Sequence, residues 1–332
     1  MTGQTMRAGV ASADGLTLRD VPVPEPTAGQ LLVKVSAAGM NRADLNAARG
    51  AGVASCESHG KAIGMEWAGE VVDLGGPDSG FAVGDRVTCS GSGGYAEYAV
   101  ADAARTFDVP SDMSYAEAAA LPLALMTAHD ALVREGGFTT DQTILVHGAS
   151  SCVGLATIAI ARLMGASRIL GTSTRPNRLA RLAASGVTAI DPSNADWPQA
   201  VHDATDGRGA DVVVDMVTGP GINDTMRATA IHGRIVNVGR LAGTRADFDL
   251  DLHALRRLSL VGVTFRSRTP DEVRTIVRDV DRHLWPHVRS GALRLPMDRE
   301  FDLEDAVAAH AYMLANHHFG KIMLTIGDTS AD

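Results

Sequence analysis

Thr143 to Ala166, reading TILVHGASSCVGLATIAIARLMGA, is the stretch that decides the fold. Ile144 to Val146 form a short apolar run of the kind that makes a buried parallel strand, and the run breaks into a small-residue turn from His147 to Gly154. From Val153 the period changes: Val153, Ala156, Thr157, Ile160 and Met164 recur at three- and four-residue spacing, which predicts a helix laid on a sheet. Gly165 is placed to end it. A strand, a tight turn and a helix aim free backbone N–H groups and the positive end of a helix dipole at one point, which suits a pyrophosphate. The segment predicts a dinucleotide site built on Ala149, Ser150, Ser151, Cys152 and Val153.

The turn departs from the G-x-G-x-x-G pattern. Aligned on Gly154, the first two glycines become Ala149 and Ser151. The middle glycine lets the backbone approach the pyrophosphate. Ser151 is small enough to stand there, and its hydroxyl is a candidate donor to a phosphate. The alternative is a plain βα turn that binds nothing.

Outward from this centre, Arg168 to Gly171 is the next strand and Pro176 to Ser185 the next helix. An NAD-preferring site carries an acid at the end of that second strand, for the ribose 2′-hydroxyl. Here the run is Thr172-Ser173-Thr174-Arg175-Pro176-Asn177-Arg178, with Ser173 in the acid's place. Pro176 suits a first helical position, which puts Arg175 and Arg178 at the helix's positive end, where cations are disfavoured. Two arginines there suggest an anion partner, and the reading is NADPH rather than NADH, with solvated surface arginines as the alternative. Two more strands follow, Ala210 to Val214 with Asp215, and Gly233 to Gly239; Leu258 to Phe265 is the last. From Pro270 the chain turns helical, then Arg299 to Phe301 leads into Leu303 to Asn316 and Gly320 to Leu324.

Towards the N-terminus, Leu31 to Val35, Glu70 to Leu74, Gly84 to Val87 and Gly93 to Val100 read as short strands with Gly- and Pro-rich joints, as in a small barrel-like domain. Ser114 to Ala131 reads as helical apart from a break at Pro122. At 332 residues two domains are expected. A net charge of −9 argues against nucleic acid or an anionic membrane as the main partner. Cys56, Cys89 and Cys152 form no disulfide framework. With no leader pattern and no apolar run of about 18 residues, a soluble cytoplasmic protein is expected.

The motifs AAGMNRADLNAARG at 37–50, GMEWAGEVVDLG at 64–75, GDRV at 84–87 and GGYAEYAV at 93–100, in that order, resemble the medium-chain dehydrogenase/reductase superfamily. The branch they resemble is the zinc-free quinone oxidoreductases, the zeta-crystallin-like group. The resemblance implies an α/β chain: a GroES-like, β-barrel-type catalytic domain from residues 1–122 and 267–332, and a Rossmann domain with a doubly wound parallel sheet, holding NADPH, from 123–266. It implies that Thr127 lies near the nicotinamide, that the backbone of Val238 and Gly239 borders it, and that Arg178 meets the 2′-phosphate. Lys321 reaches the cofactor by the same resemblance, or else is a surface turn lysine. The last strand, around Leu258 to Phe265, pairs with its twin in a homodimer.

Zinc-dependent relatives hold their catalytic metal with a cysteine, a histidine and a second cysteine or an acid. By that alignment the places hold Asn41, Met65 and Leu123, and neither methionine nor leucine supplies the donor zinc needs. A rival metal set of Cys56, His59 and Glu66 lies partly in a loop where scattered polar residues are ordinary. No metal is expected.

Without a Lewis acid, the plausible acceptors spread the incoming charge by conjugation, as quinones and α,β-unsaturated carbonyls do. Asn41 is the candidate polar group beside the nicotinamide and the acceptor oxygen, with Met65 and Leu123 as apolar wall and Asn46 as a further pocket residue. No general acid stands out; His129 has no visible partner in the sequence. The leading expectation is an NADPH-dependent quinone oxidoreductase. The alternatives are an enoyl reductase on an activated alkene and a non-catalytic, crystallin-like NADPH-binding protein.

Overall fold

The structure is a computed structural model and describes residues 3–49, 60–77 and 79–327. The chain divides into two compact units, Met1–Leu123 with Thr269–Asp332, and Ala124–Arg268.

The first unit opens with the antiparallel hairpin β1 (Thr5–Ser12) and β2 (Gly15–Pro22). There follow β3 (Gln30–Gly39), α1 (Arg42–Ala48), β4 (Glu66–Leu74), β5 (Arg86–Ser90), β6 (Tyr98–Asp102), β7 (Thr106–Asp108) and α2 (Tyr115–Ala119). Helix α3 (Pro122–His129) carries the chain across the boundary between the units. β3 is the hub of the larger sheet because it is apolar on both faces: Leu31, Leu32, Val33, Val35 and Ala38 are all buried, and β4, β6 and a later strand pair with it. Ser114 and Glu117 form the capping box of α2. Pro122, expected as a break, instead opens α3, since proline's fixed φ and missing N–H are harmless in a first turn.

The second unit contains β8 (Thr143–His147), α4 (Cys152–Leu163), β9 (Arg168–Thr172), α5 (Pro176–Ala184), β10 (Thr188–Ile190), α6 (Trp197–Asp203), β11 (Ala210–Asp215), α7 (Ile222–Ala228), β12 (Thr229–Asn237), α8 (Leu250–Arg256) and β13 (Ser259–Gly262). Its six strands pair in the order β10-β9-β8-β11-β12-β13, all parallel. This is the Rossmann order. The direction of build reverses between β8 and β11, and ligands of open α/β sheets bind beyond the strand ends at such a point.

The chain then completes the first unit with α9 (Pro270–His283), α10 (Trp285–Arg289), β14 (Met297–Asp302), α11 (Ala306–Leu314) and β15 (Lys321–Thr325). β15 inserts between β14 and β3. Trp285 stacks on Phe107, ring centroids 4.1 Å apart, and its indole N–H donates to the Asp108 carbonyl.

Several strand boundaries differ from expectation: β3 and β4 are longer, β5 and β6 start later, at Arg86 and Tyr98, and β12 and β13 differ in the sheet that carries the dinucleotide turn. β13 covers only Ser259–Gly262 rather than Leu258 to Phe265, because the ladder stops after Val263 donates to the Asn237 carbonyl. β12 starts at Thr229 and ends at Asn237; Val238 and Gly239 leave the strand because both their N–H groups turn onto the carbonyl of Asp215.

Candidate active site

The turn after β8 is held from two sides. The Thr172 hydroxyl accepts the Gly148 N–H at 3.0 Å and lies 2.8 Å from His147 Nδ1, while the Thr172 carbonyl accepts the Ala149 N–H at 3.0 Å. His147 is stacked on Trp197, and burial lowers its pKa against the opposing pull of Asp215. Gly148 has φ +85°, where a side chain is strained. Gly154 is fixed by close packing: a Cβ there stands 2.8 Å from Ala149 Cα.

Ser151 corrects its expected role. Its hydroxyl donates to the Gly148 carbonyl at 2.9 Å and accepts the Gly154 N–H at 3.1 Å, so it caps α4 and its hydrogen is committed inside the turn. The N–H groups of Ser150 and Val153 take no acceptor among the described residues. They supply, with the α4 dipole, the donors that a phosphate requires. Ala149 and Ser150 are buried; Ser151, Cys152 and Val153 are half-buried.

Past β9, Ser173 is buried and Thr174 exposed. Arg175 is the N-cap of α5 with Pro176 directly after it, and is exposed. Arg178 is only 5% exposed, which excludes the solvated-surface alternative for it. Across the reversal point, Asp215 gathers both neighbouring loops: its carboxylate accepts the N–H groups of Val217 and Thr218, and its carbonyl those of Val238 and Gly239. At Gly239 a Cβ would meet the Met216 carbonyl oxygen at 2.4 Å, so only glycine lets these loops close together. Thr127 is half-buried on α3, and its hydroxyl makes no hydrogen bond among the described residues, so it does not back-bond to its own helix.

In the first unit two of the three expected metal places, Asn41 and Leu123, bond to a buried pair, Lys321 and Glu66. Lys321, at the start of β15, is 2% exposed and its ammonium donates to Glu66 Oε1 and, at 2.9 Å, to Asn41 Oδ1. It is not a surface lysine. Asn41 Nδ2 donates to Glu66 Oε1 at 2.9 Å and to the Gly39 carbonyl at 3.3 Å. Glu66 Oε2 accepts the Leu123 N–H at 2.8 Å, placing a carboxylate at the start of α3 where the dipole favours it. Met65 and Leu123 are half-buried and Asn46 faces outward from α1.

Asp44 lies behind Asn41, fully buried. Its Oδ2 accepts the Asn41 N–H at 2.7 Å and the Tyr95 hydroxyl at 2.9 Å, while Oδ1 has no hydrogen-bond partner among the described residues. Burial pushes the Asp44 carboxyl up to about 7, against the opposing hydrogen bonds from Asn41 and Tyr95. Burial and the neighbouring Asp44 raise the Tyr95 phenol. Burial pulls His310, edge-on to the Tyr95 ring, down to about 4.

This donor set does not suit zinc. The thioether of Met65 and the alkyl side chain of Leu123 are poor or absent donors, and an ammonium already bonded to Asn41 Oδ1 repels a dication. Cys56 and His59, from the rival set, lie outside the described residues, and both oxygens of Glu66 are occupied.

A Rossmann sheet with a phosphate turn, joined in one chain to a mainly β unit, defines a dehydrogenase-type oxidoreductase. Residues 27–111 match the family model of the alcohol dehydrogenase GroES-like domain, and residues 152–282 that of the zinc-binding dehydrogenases. The quinone oxidoreductase of Rattus norvegicus is 28% identical over 317 residues, covering 92% of this chain and 92% of that protein. The mycocerosic acid synthase-like polyketide synthase of Mycolicibacterium smegmatis is 32% identical over 307 residues, which cover 92% of this chain; the chain spans only 14% of the synthase. A crystal structure of an NAD-dependent alcohol dehydrogenase superposes with a TM-score of 0.84 at 29% identity, over 97% of this chain and 100% of the other. The chain belongs to the medium-chain dehydrogenase/reductase superfamily, both of whose domain models it matches. Members of the superfamily bind a nicotinamide cofactor, and the turn from Gly148 to Val153 fits its pyrophosphate.

Proposed function

We propose that the protein is a zinc-independent, NADPH-dependent quinone oxidoreductase acting on a conjugated carbonyl. The observation that carries this is the Lys321 ammonium bonded to Asn41, the residue in the place of the first zinc ligand. A fixed monovalent charge stands where a Lewis acid is otherwise needed, so the acceptor must delocalise its own charge. The dinucleotide, when bound, supplies the hydride. The unit Ala124–Arg268 holds it through the Ser150 and Val153 N–H groups, with Thr127 and the backbone of Val238 and Gly239 at the nicotinamide. Ser173, Thr174, Arg175 and Arg178 favour the 2′-phosphate, since no acid stands there to repel it.

In the first unit Asn41 offers an amide N–H to the acceptor oxygen, and Met65 and Leu123 offer an apolar wall to a flat ring. β13 is an edge strand with Leu260 exposed, which supports a homodimer through that strand. A cytoplasmic setting goes with this reading. An enoyl reductase is the second reading, favoured by the match to a segment of a polyketide synthase.

The test is NADPH oxidation by the purified protein against a para-quinone, an ortho-quinone and a simple enone, with NADH in parallel. Quinone turnover with NADPH preferred is expected, and Arg175→Ala and Arg178→Ala each lower the NADPH preference about tenfold by removing a charged hydrogen bond to phosphate. Turnover of the enone alone selects the second reading. Tight NADPH binding with no turnover of any acceptor overturns both and leaves a binding protein.

A further inference from the structure

The Lys321, Glu66 and Asn41 side chains close a ring: ammonium to amide oxygen, amide nitrogen to carboxylate, carboxylate to ammonium. The ring has no slack. A Cβ added at Gly39 would stand 2.7 Å from Lys321 Cε and 2.8 Å from Glu66 Oε1, and the second Glu66 oxygen is pinned by Leu123 N–H. The orientation of the Asn41 amide is therefore set by its partners: its oxygen must face the ammonium, and its nitrogen must face the carboxylate. A cation on the oxygen of an amide draws electron density from its nitrogen and makes the N–H a stronger donor, as in any polarised hydrogen-bond chain. Of the two Nδ2 bonds, the 3.3 Å contact to the Gly39 carbonyl is the weaker, and it is the one a ligand oxygen displaces.

We propose that Lys321 is a positioning residue for acceptor reduction, acting through Asn41: its charge orients and polarises the amide so that Nδ2–H holds the negative charge developing on the acceptor oxygen. This rests on the reading of the protein as a reductase of conjugated carbonyls. The reduced dinucleotide would supply the hydride: one C–H bond of its nicotinamide ring would break as one C–H or O–H bond forms on the acceptor, two electrons would enter the conjugated system, and the products would be the oxidised dinucleotide and one negative charge on the acceptor oxygen. A proton from water then completes the product. Lys321 stays protonated throughout.

The experiment compares the wild-type protein, the double variant Lys321→Met/Glu66→Gln, Lys321→Arg and Asn41→Ala. The double variant removes both charges together, so neither is left buried alone. For each, thermal melting reports folding, fluorescence titration gives the NADPH Kd, and steady-state rates give kcat and KM for the para-quinone and the enone. The double variant is expected to bind NADPH within about twofold of wild type and to lose on the order of tenfold in kcat with little change in KM, less than the loss for deleting a whole oxyanion donor. Lys321→Arg retains most of the rate. Asn41→Ala loses at least as much as the double variant; if the double variant does not fold, an unchanged kcat in Asn41→Ala still overturns the proposal, and Lys321→Met alone, read against Lys321→Arg, reports the charge.

An unchanged kcat in the double variant or in Asn41→Ala overturns the proposal. A weakened NADPH Kd with kcat intact also overturns it, by placing Lys321 on the cofactor. A wild-type protein inert towards every acceptor instead refutes the proposed function, and that outcome is visible before any variant is measured.

Discussion

Asp44 shows what a single buried acid does to stability. Its carboxyl is pushed up to about 7 in the folded state from an ordinary value of 3.8, so the folded protein holds that proton more tightly than the unfolded chain. The resulting stabilisation is complete below the unfolded value and is lost as pH rises through the folded one. His310, pulled down to about 4, works in the opposite sense: its contribution is present above 6.5 and is lost as pH falls towards 4. Between pH 6.5 and 8 Asp44 contributes most of the change, and the smaller remainder from His310 is common to the two proteins compared. There the wild-type protein should lose about 1 kcal/mol relative to Asp44→Asn, read from urea midpoints of both proteins at the two pH values. Parallel curves would show that Asp44 is ionised throughout that range.

At the scale of the element, α4 and its turn depend on Ser151. Ser151→Ala should cost about 1 kcal/mol in stability through the lost N-cap and weaken NADPH binding, while Ser151→Gly should cost only a few tenths. Thermal melting with and without NADPH separates the two effects; equal melting of all three proteins would mean that the cap is dispensable.

The β8, α4 and α5 elements were legible in the sequence because each is local: an apolar run, a change of period, a proline at a first helical position. Helix α1 was not, since its seven residues carry little periodicity and its start is fixed by Asp44 reaching back to the Asn41 N–H. The polar ring was legible only residue by residue. Asn41 and Lys321 stood out singly, but Glu66 lies 25 positions from one and 255 from the other, and no spacing rule spans that. One signal was present: an acid opening the apolar strand EWAGEVV and a lysine opening the apolar strand KIMLT, opposite charges at two otherwise buried strand ends. The sequence puts Ser151 in the turn, yet its hydroxyl direction depends on Gly148 adopting positive φ, which the sequence states only as a glycine.

For the molecule as a whole, the exposed edge of the six-stranded sheet is the testable feature. β13 leaves one side of its backbone unpaired, and Leu260 is 43% exposed, with Leu250 and Leu255 of α8 more exposed still. Unprotected edges of this kind invite pairing. Leu260→Lys should shift the proposed dimer to monomer in sedimentation velocity. A wild-type protein that sediments as a monomer at micromolar concentration would remove the basis for a homodimer.

The first unit is assembled from segments on either side of Ala124–Arg268 in the sequence, with β15 slotted between β14 and β3. During synthesis Ala124–Arg268 has all its strands available before β15 is made, so β3 waits for a neighbour encoded beyond the whole second unit. Until then Glu66 has no ammonium to meet. Contacts this distant in sequence carry a large loop-closure cost and form slowly. Until β15 is made, β3 keeps an unpaired edge, and open strand edges of this kind are what make folding intermediates prone to aggregate.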